Sequence, residues 1–292
     1  MKKWISAARL RTLPLALSSI IMGAVLAQSV FMFRWDVFGW AVLTTVLLQV
    51  LSNFANDYGD TKNGADTGDR IGPARAVQSG EITPKQMLNA ILLTGTAALV
   101  SGIYLLYIAF GGFASVYFRV FLGLGLLAIV AAYTYTAGKR PYGYIGLGDI
   151  SVFLFFGLTG VVASYFLYTL HFEWPLLLPG TACGALAMGV LNINNIRDME
   201  SDKKAGKITI PVRLGRQKAL VYHWLLLAVA MAAAVAYVSL KNGSWYYLLS
   251  FPLIFLNGIQ VSKNTNPDPY LKTLALTSLV FVMVFGISLI FR

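Results

Sequence analysis

The chain has 292 residues, of which 57% are hydrophobic and 12% charged, and its mean hydropathy is +0.68. So apolar a composition excludes an ordinary soluble globule. Its 23 bases against 12 acids, a net charge of +11, do not mark a nucleic-acid binder, because the bases border apolar stretches and form no basic face.

Nine apolar segments of roughly 17–25 residues, the length that crosses a bilayer, predict membrane helices over 12–33, 36–56, 86–108, 116–136, 147–169, 174–196, 219–239, 245–262 and 271–291. The expected fold class is all-α, a polytopic membrane protein forming one integral-membrane domain over 1–292. Residues 1–28 begin like a signal peptide, but the run from Leu13 to Phe33 is too long for one and contains Pro14 and Gly23. It is expected to remain as the first span. The N-terminus and the loops after spans 2, 4, 6 and 8 carry 19 bases, against four on the other side. That asymmetry predicts a cytoplasmic N-terminus.

The second span ends in Asn56-Asp57-Tyr58-Gly59-Asp60, followed by Asp66 and Asp69. The sixth ends in Asn195, Asp198, Glu200 and Asp202. Seven of the 12 acids thus lie in two short stretches on the same predicted face, and carboxylates at a membrane edge are too costly to be placed there idly. Asn53, Asn56 and Asp60 are spaced to share one helix face, as are Asn195, Asp198 and Asp202. Two facing columns of amide and carboxylate oxygens suit Mg²⁺, a hard ion that takes one or two carboxylates plus phosphate oxygens. Asn56-x-x-x-Asp60-x-x-x-Gly64 also aligns with Asp198-x-x-x-Asp202-x-x-x-Gly206, a short match that fits a duplicated four-helix unit or coincidence equally well. Solvated helix ends would be the plainer explanation for one cluster alone.

Bases are interleaved with these acids: Lys62, Arg70 and Arg75 in the first loop, and Arg197, Lys203, Lys204, Lys207 and Arg213 in the second. Arg70 and Arg75 directly follow the first acids and suit a bound diphosphate best. Between spans 4 and 5, Tyr133, Tyr135, Tyr142 and Tyr144 flank Lys139-Arg140, and Asp149 opens the fifth span. The tyrosines fit an interfacial aromatic belt or a pocket wall equally well. Cys183, His171 and His223 have no partner spacing that marks a site.

These segments, N-D-Y-G-D at 56–60, D-R-I-G-P at 69–73, N-N-I-R-D-M-E-S-D at 194–202, V-R-L-G at 212–215 and A-R-L-R-T-L-P at 8–14, resemble the UbiA superfamily of intramembrane prenyltransferases. The similarity covers the whole chain and is greatest to the menaquinone-pathway branch. It implies nine helices around a central cavity and Mg²⁺ as cofactor, held by Asn56, Asp60 and Asp66 with Asp198 and Asp202. Where much of the superfamily has an acid eight residues after the first Asn, this chain has Gly64, with Asp66 two residues later. Asp57, Asp60 and Asp66 therefore compete for contact with the metal. Asp57, Arg70 and Lys139 become the catalytic candidates; Asn53, Arg75, Tyr133, Asp149 and Asn195 become the substrate-binding ones. The implied partners are an allylic polyprenyl diphosphate, 1,4-dihydroxy-2-naphthoate and membrane lipid, with loss of CO₂ and diphosphate. Other acceptors such as 4-hydroxybenzoate, and a transporter, are the alternatives. A transporter would place ionisable groups near the bilayer midplane, where these spans have almost none.

Overall fold

A computed structural model describes residues 1–64, 75–138 and 141–291. Every regular element among them is helical, as a chain that must satisfy its backbone polar groups within lipid requires. A short helix, Lys2–Ala8, breaks at Arg9, whose φ of 48° is left-handed, and the chain then enters α1 (Leu13–Gln28). α2 (Trp35–Lys62) and α3 (Pro84–Phe110) form an antiparallel pair, and α4 (Val116–Thr134) lies against both. A reciprocal Thr83–Gln86 capping box with Pro84 in the first turn starts α3, and Gly111 ends it at φ 70°, as helix-end chemistry favours.

The second half contains α5 (Gly148–Thr169), α6 (Leu177–Arg197), α7 (Arg216–Leu240), α8 (Phe251–Lys263) and α9 (Asp268–Ile290). α6 is the most enclosed, packed between α5 and α7. Its approach to α5 depends on small residues: a Cβ on Gly157 would lie 2.7 Å from the Gly180 carbonyl and 2.8 Å from Gly184 Cα. Close backbone contact of this kind is how helices associate where lipid removes the hydrophobic drive. α4 is the least enclosed, with only Phe118 buried.

Eight helices among the described residues are long and apolar enough to cross a membrane, where the sequence predicts nine. The expected span 245–262 is a 3₁₀ segment, Trp245–Ser250, leading into the 13-residue α8. Pro252 at the start of α8 and the polar Asn257 and Gln260 within it explain why this stretch forms no single long apolar helix.

Candidate active site

α2 continues as a helix through the whole first acidic cluster, so the predicted column forms: Asn53, Asn56 and Asp60 all line one large cavity of about 430 Å³. Gly59 makes this possible. A Cβ there would sit 2.6 Å from the Thr136 carbonyl group, so only glycine lets the chain after α4 close against α2. Thr136 Oγ1 then donates to the Asn56 amide oxygen at 3.2 Å, and Asn63 Nδ2 donates to the Thr136 carbonyl at 2.7 Å.

The second column does not form as predicted. α6 stops at Arg197, Asp198 has φ −94° and ψ 7°, and Asp202 lies on a separate short helix, Met199–Lys204. The break turns Asp198 away from the cavity lining and toward Arg197. Asp202 is not part of the cavity lining either, but the following turn, in which the Lys207 N–H donates to the Asp202 carbonyl at 2.8 Å, sets it beside Lys207, which is. Gly64 (φ 74°) and Gly206 (φ 72°) take the same left-handed conformation after their respective helices, so the aligned motifs do share their local ending.

The two clusters meet at a base. Lys207 Nζ lies 3.5 Å from Asp202 Oδ1 and 4.0 Å from Asp60 Oδ1, so those carboxylates are no farther apart than these two distances together. The ammonium also stands 5.5 Å from the centre of the Tyr144 ring. Asp60 further accepts from Tyr144 Oη at 2.9 Å and from Arg75 Nη2 at 3.4 Å. All three charged groups, with Arg75, are buried. Burial pushes the Asp202 carboxyl up to about 6; Lys207 opposes that rise, while Asp198 and Asp60 add to it. Asp202 Oδ2 is buried and accepts no hydrogen bond. Among the described residues, no three acidic, histidine or cysteine side chains converge as a ready-made metal centre.

From this polar mouth the cavity descends along α2 to Ala41, nineteen residues below Asp60 and about 28 Å at a helical rise of ~1.5 Å per residue. Its lower walls are apolar, including Leu105, Leu106 and Phe156. A second, smaller hollow shares Phe121 and Leu124 of α4 and Thr159 and Ala163 of α5 with it. The cavity therefore reaches the exposed flank between those two helices.

The UbiA prenyltransferase family profile matches residues 16–283. The chain belongs to the UbiA prenyltransferase family. It is 45% identical to the 1,4-dihydroxy-2-naphthoate octaprenyltransferase of Haemophilus influenzae, over 99% of this chain and 96% of that one. An apo UbiA homologue from Aeropyrum pernix shares the fold with a TM-score of 0.70, at 18% identity over 97% of this chain and 98% of that one. A UbiA homologue from Archaeoglobus fulgidus, solved bound to GPP and Mg²⁺, superposes with a TM-score of 0.63, at 18% identity over 98% of this chain and all of that one. The protein is accordingly an intramembrane prenyltransferase.

Against this UbiA framework the sequence-derived residues separate. Asn53, Asn56, Asp60, Arg75 and Asn195 line the cavity. Asn53 also donates to the Ala8 carbonyl at 2.8 Å and to Thr12 at 3.2 Å, fixing the N-terminal segment. Asp57 faces the other way and accepts from the Ala76 and Val77 amides at 3.1 and 3.2 Å; it pins a loop and does not face the cavity. Asp149 accepts from Tyr222 Oη at 3.0 Å and lies outside the cavity wall. Tyr133 packs into the apolar cluster around Leu51 and Phe54, and Tyr135 lines the cavity in its place. Two residues of helix turn opposite ways, which the tyrosine run alone did not resolve. Asp66, Arg70 and Lys139 lie outside the described residues. Lys207 and Tyr144, which the sequence offered only as one base and one tyrosine among several, meet Asp60 at the mouth, and Arg9 lines the cavity as well.

Proposed function

We propose that this prenyltransferase joins the polyprenyl group of an allylic polyprenyl diphosphate to 1,4-dihydroxy-2-naphthoate, releasing diphosphate and CO₂, in menaquinone biosynthesis. It would work in the cell membrane with its N-terminus and charged mouth on the cytoplasmic side. The observation that carries this reading is the approach of Asp60 and Asp202 to one buried ammonium at the top of a deep apolar cavity. The 45% identity to a 1,4-dihydroxy-2-naphthoate octaprenyltransferase supports the choice of acceptor.

The residues fit Mg²⁺. Asp202 Oδ2 is a buried carboxylate oxygen that accepts no hydrogen bond, and the Asn56 and Asn195 amides and Asp60 line the same mouth; all are hard oxygen donors. Asp60 and Asp202 would hold the ion, with Asn56, Asp66 and Asp198 as further ligands the family resemblance implies. Bound there, Mg²⁺ supplies positive charge that offsets the leaving diphosphate and eases ionisation of the allylic C–O bond. Lys207 and Arg75 donate to diphosphate oxygens, as Arg70 and Lys139 are expected to do from outside the described residues. Burial, with the charges of Asp149 and Asp60, holds the Tyr135 phenol well above its usual range. It stays neutral, and its ring face can steady an allylic cation. The apolar walls keep water from that cation until the electron-rich ring of the acceptor attacks and loses CO₂. The prenyl tail passes down the cavity and out between α4 and α5 into lipid.

The test is an acceptor panel on membranes containing the protein. Prenylation of 1,4-dihydroxy-2-naphthoate that stops with EDTA and returns with Mg²⁺ is expected. Consumption of 4-hydroxybenzoate in preference would overturn the acceptor assignment and leave the family intact.

A further inference from the structure

Outside the cavity wall, four charged side chains link the ends of three helical segments. Arg197, the last residue of α6, donates from Nε and Nη2 to the two oxygens of Asp198 at 2.7 and 2.6 Å. Its Nη2 also donates to Asn194 Oδ1 at 2.8 Å. The remaining arm, Nη1, donates to Asp268 in the first turn of α9. Asp268 in turn accepts from Arg11 Nη1, 3.3 Å from each of its oxygens. Arg197 and Asp198 are 1% and 5% exposed in their side chains, and Asp268 and Arg11 are 24% and 26%. The chain of charges thus runs from the protein interior to its rim.

Asp198 matches the second acidic motif, yet Arg197 engages both of its oxygens and it does not line the cavity. To turn an oxygen toward a metal–diphosphate it must loosen its hold on a fully buried guanidinium. A buried guanidinium left without a carboxylate is strongly unfavourable. A second carboxylate already holds that guanidinium from the opposite side, and Asp268 is attached to a different helix that would not move with Asp198. We propose that Asp268 is a positioning residue: it keeps Arg197 paired, so that Asp198 is free to give an oxygen to the metal. Asn194, which shares Arg197 Nη2 and lines the cavity, is set by the same arm. This inference rests on the metal-site reading above.

Full-length protein in lipid nanodiscs, titrated with Mn²⁺ alone while free Mn²⁺ is followed by EPR, tests it without turnover. Asp268→Asn is expected to weaken Mn²⁺ binding about tenfold, the scale of one charge-assisted hydrogen bond, and Asp268→Glu to restore most of it. Arg11→Gln breaks the same tether between the N-terminal segment and α9 from its other side, but leaves Asp268 to Arg197, so its Mn²⁺ binding stays at the wild-type level or tightens. Unchanged binding in Asp268→Asn, or equal weakening in Asp268→Asn and Arg11→Gln, would overturn the proposal in favour of a structural tether. Should Asp268→Asn fail to fold, weakened binding in Arg11→Gln overturns it, and wild-type binding in both Arg11→Gln and Asp268→Glu supports it. Absence of Mn²⁺ binding in the wild type would remove the metal site itself, a failure distinct from the loss of Asp268's role.

Discussion

Asp202→Asn is expected to lower prenyl transfer by about 10³-fold, the cost of removing a preorganised charged group from where charge develops, while the protein keeps its fold. The substitution preserves volume and leaves the backbone turn to Lys207 untouched. Asp202 is buried with one oxygen lacking a hydrogen bond, and its carboxyl is raised to about 6. A carboxyl that binds its proton more tightly folded than unfolded opposes folding when ionised, at every pH above its unfolded value, and the opposition is complete above pH 6. Replacing it with a neutral amide removes that opposition at pH 7, so the variant should melt no lower than wild type. The check is initial rate at saturating Mg²⁺ alongside a thermal melt. A rate within a few-fold of wild type would mean that Asp202 plays no part in the chemistry.

Lys207→Met should fail differently, losing both stability and activity. Its ammonium is the counter-ion of two buried carboxylates, and removing it costs about 3 kcal/mol because Asp202 loses that charge partner in a buried site, while Asp60 keeps Arg75. Turnover should fall about 10²-fold through loss of a donor to the diphosphate. The telling feature is rescue: added Mg²⁺ neutralises the same pair of acids, so it should raise the melting temperature of Lys207→Met more than that of wild type. Thermal melts across a Mg²⁺ series measure this. An equal Mg²⁺ response in both proteins would separate Lys207 from the metal position.

The fold was largely legible because lipid leaves few options: long apolar runs became helices within a few residues of their expected ends. The run 245–262 is helical too, as a 3₁₀ segment that continues directly into α8, and only its polar Asn257 and Gln260 keep it below the apolarity of the other spans. The first acidic column was legible from spacing because α2 remained one helix through Asp60. The second was not, because spacing presumed a continuous helix and the chain bends at Asp198. Asp57 shows another limit. It sits one residue from Asn56, but a step of one along a helix turns a side chain by about 100°, and it meets the Ala76 and Val77 amides instead of the cavity. Lys207 could be named as a nearby base, but its place between Asp60 and Asp202, 142 residues apart in sequence, is a tertiary fact. Tyr135 and Tyr133 could be told apart only once the end of α4 was fixed.

The central claim is that carboxylates from α2 and from the Met199–Lys204 helix grip one metal-bound diphosphate. It is tested most directly by the affinity of an unreactive prenyl diphosphate analogue for the wild type, Asp60→Asn, Asp202→Asn and the double variant, with and without Mg²⁺. With Mg²⁺, each single variant should lose nearly as much affinity as the double, the non-additivity of residues serving one ligand. Without it, no variant should bind more weakly than wild type, since each lacks a repelling charge. Additive losses that persist unchanged in the absence of Mg²⁺ would contradict a shared metal.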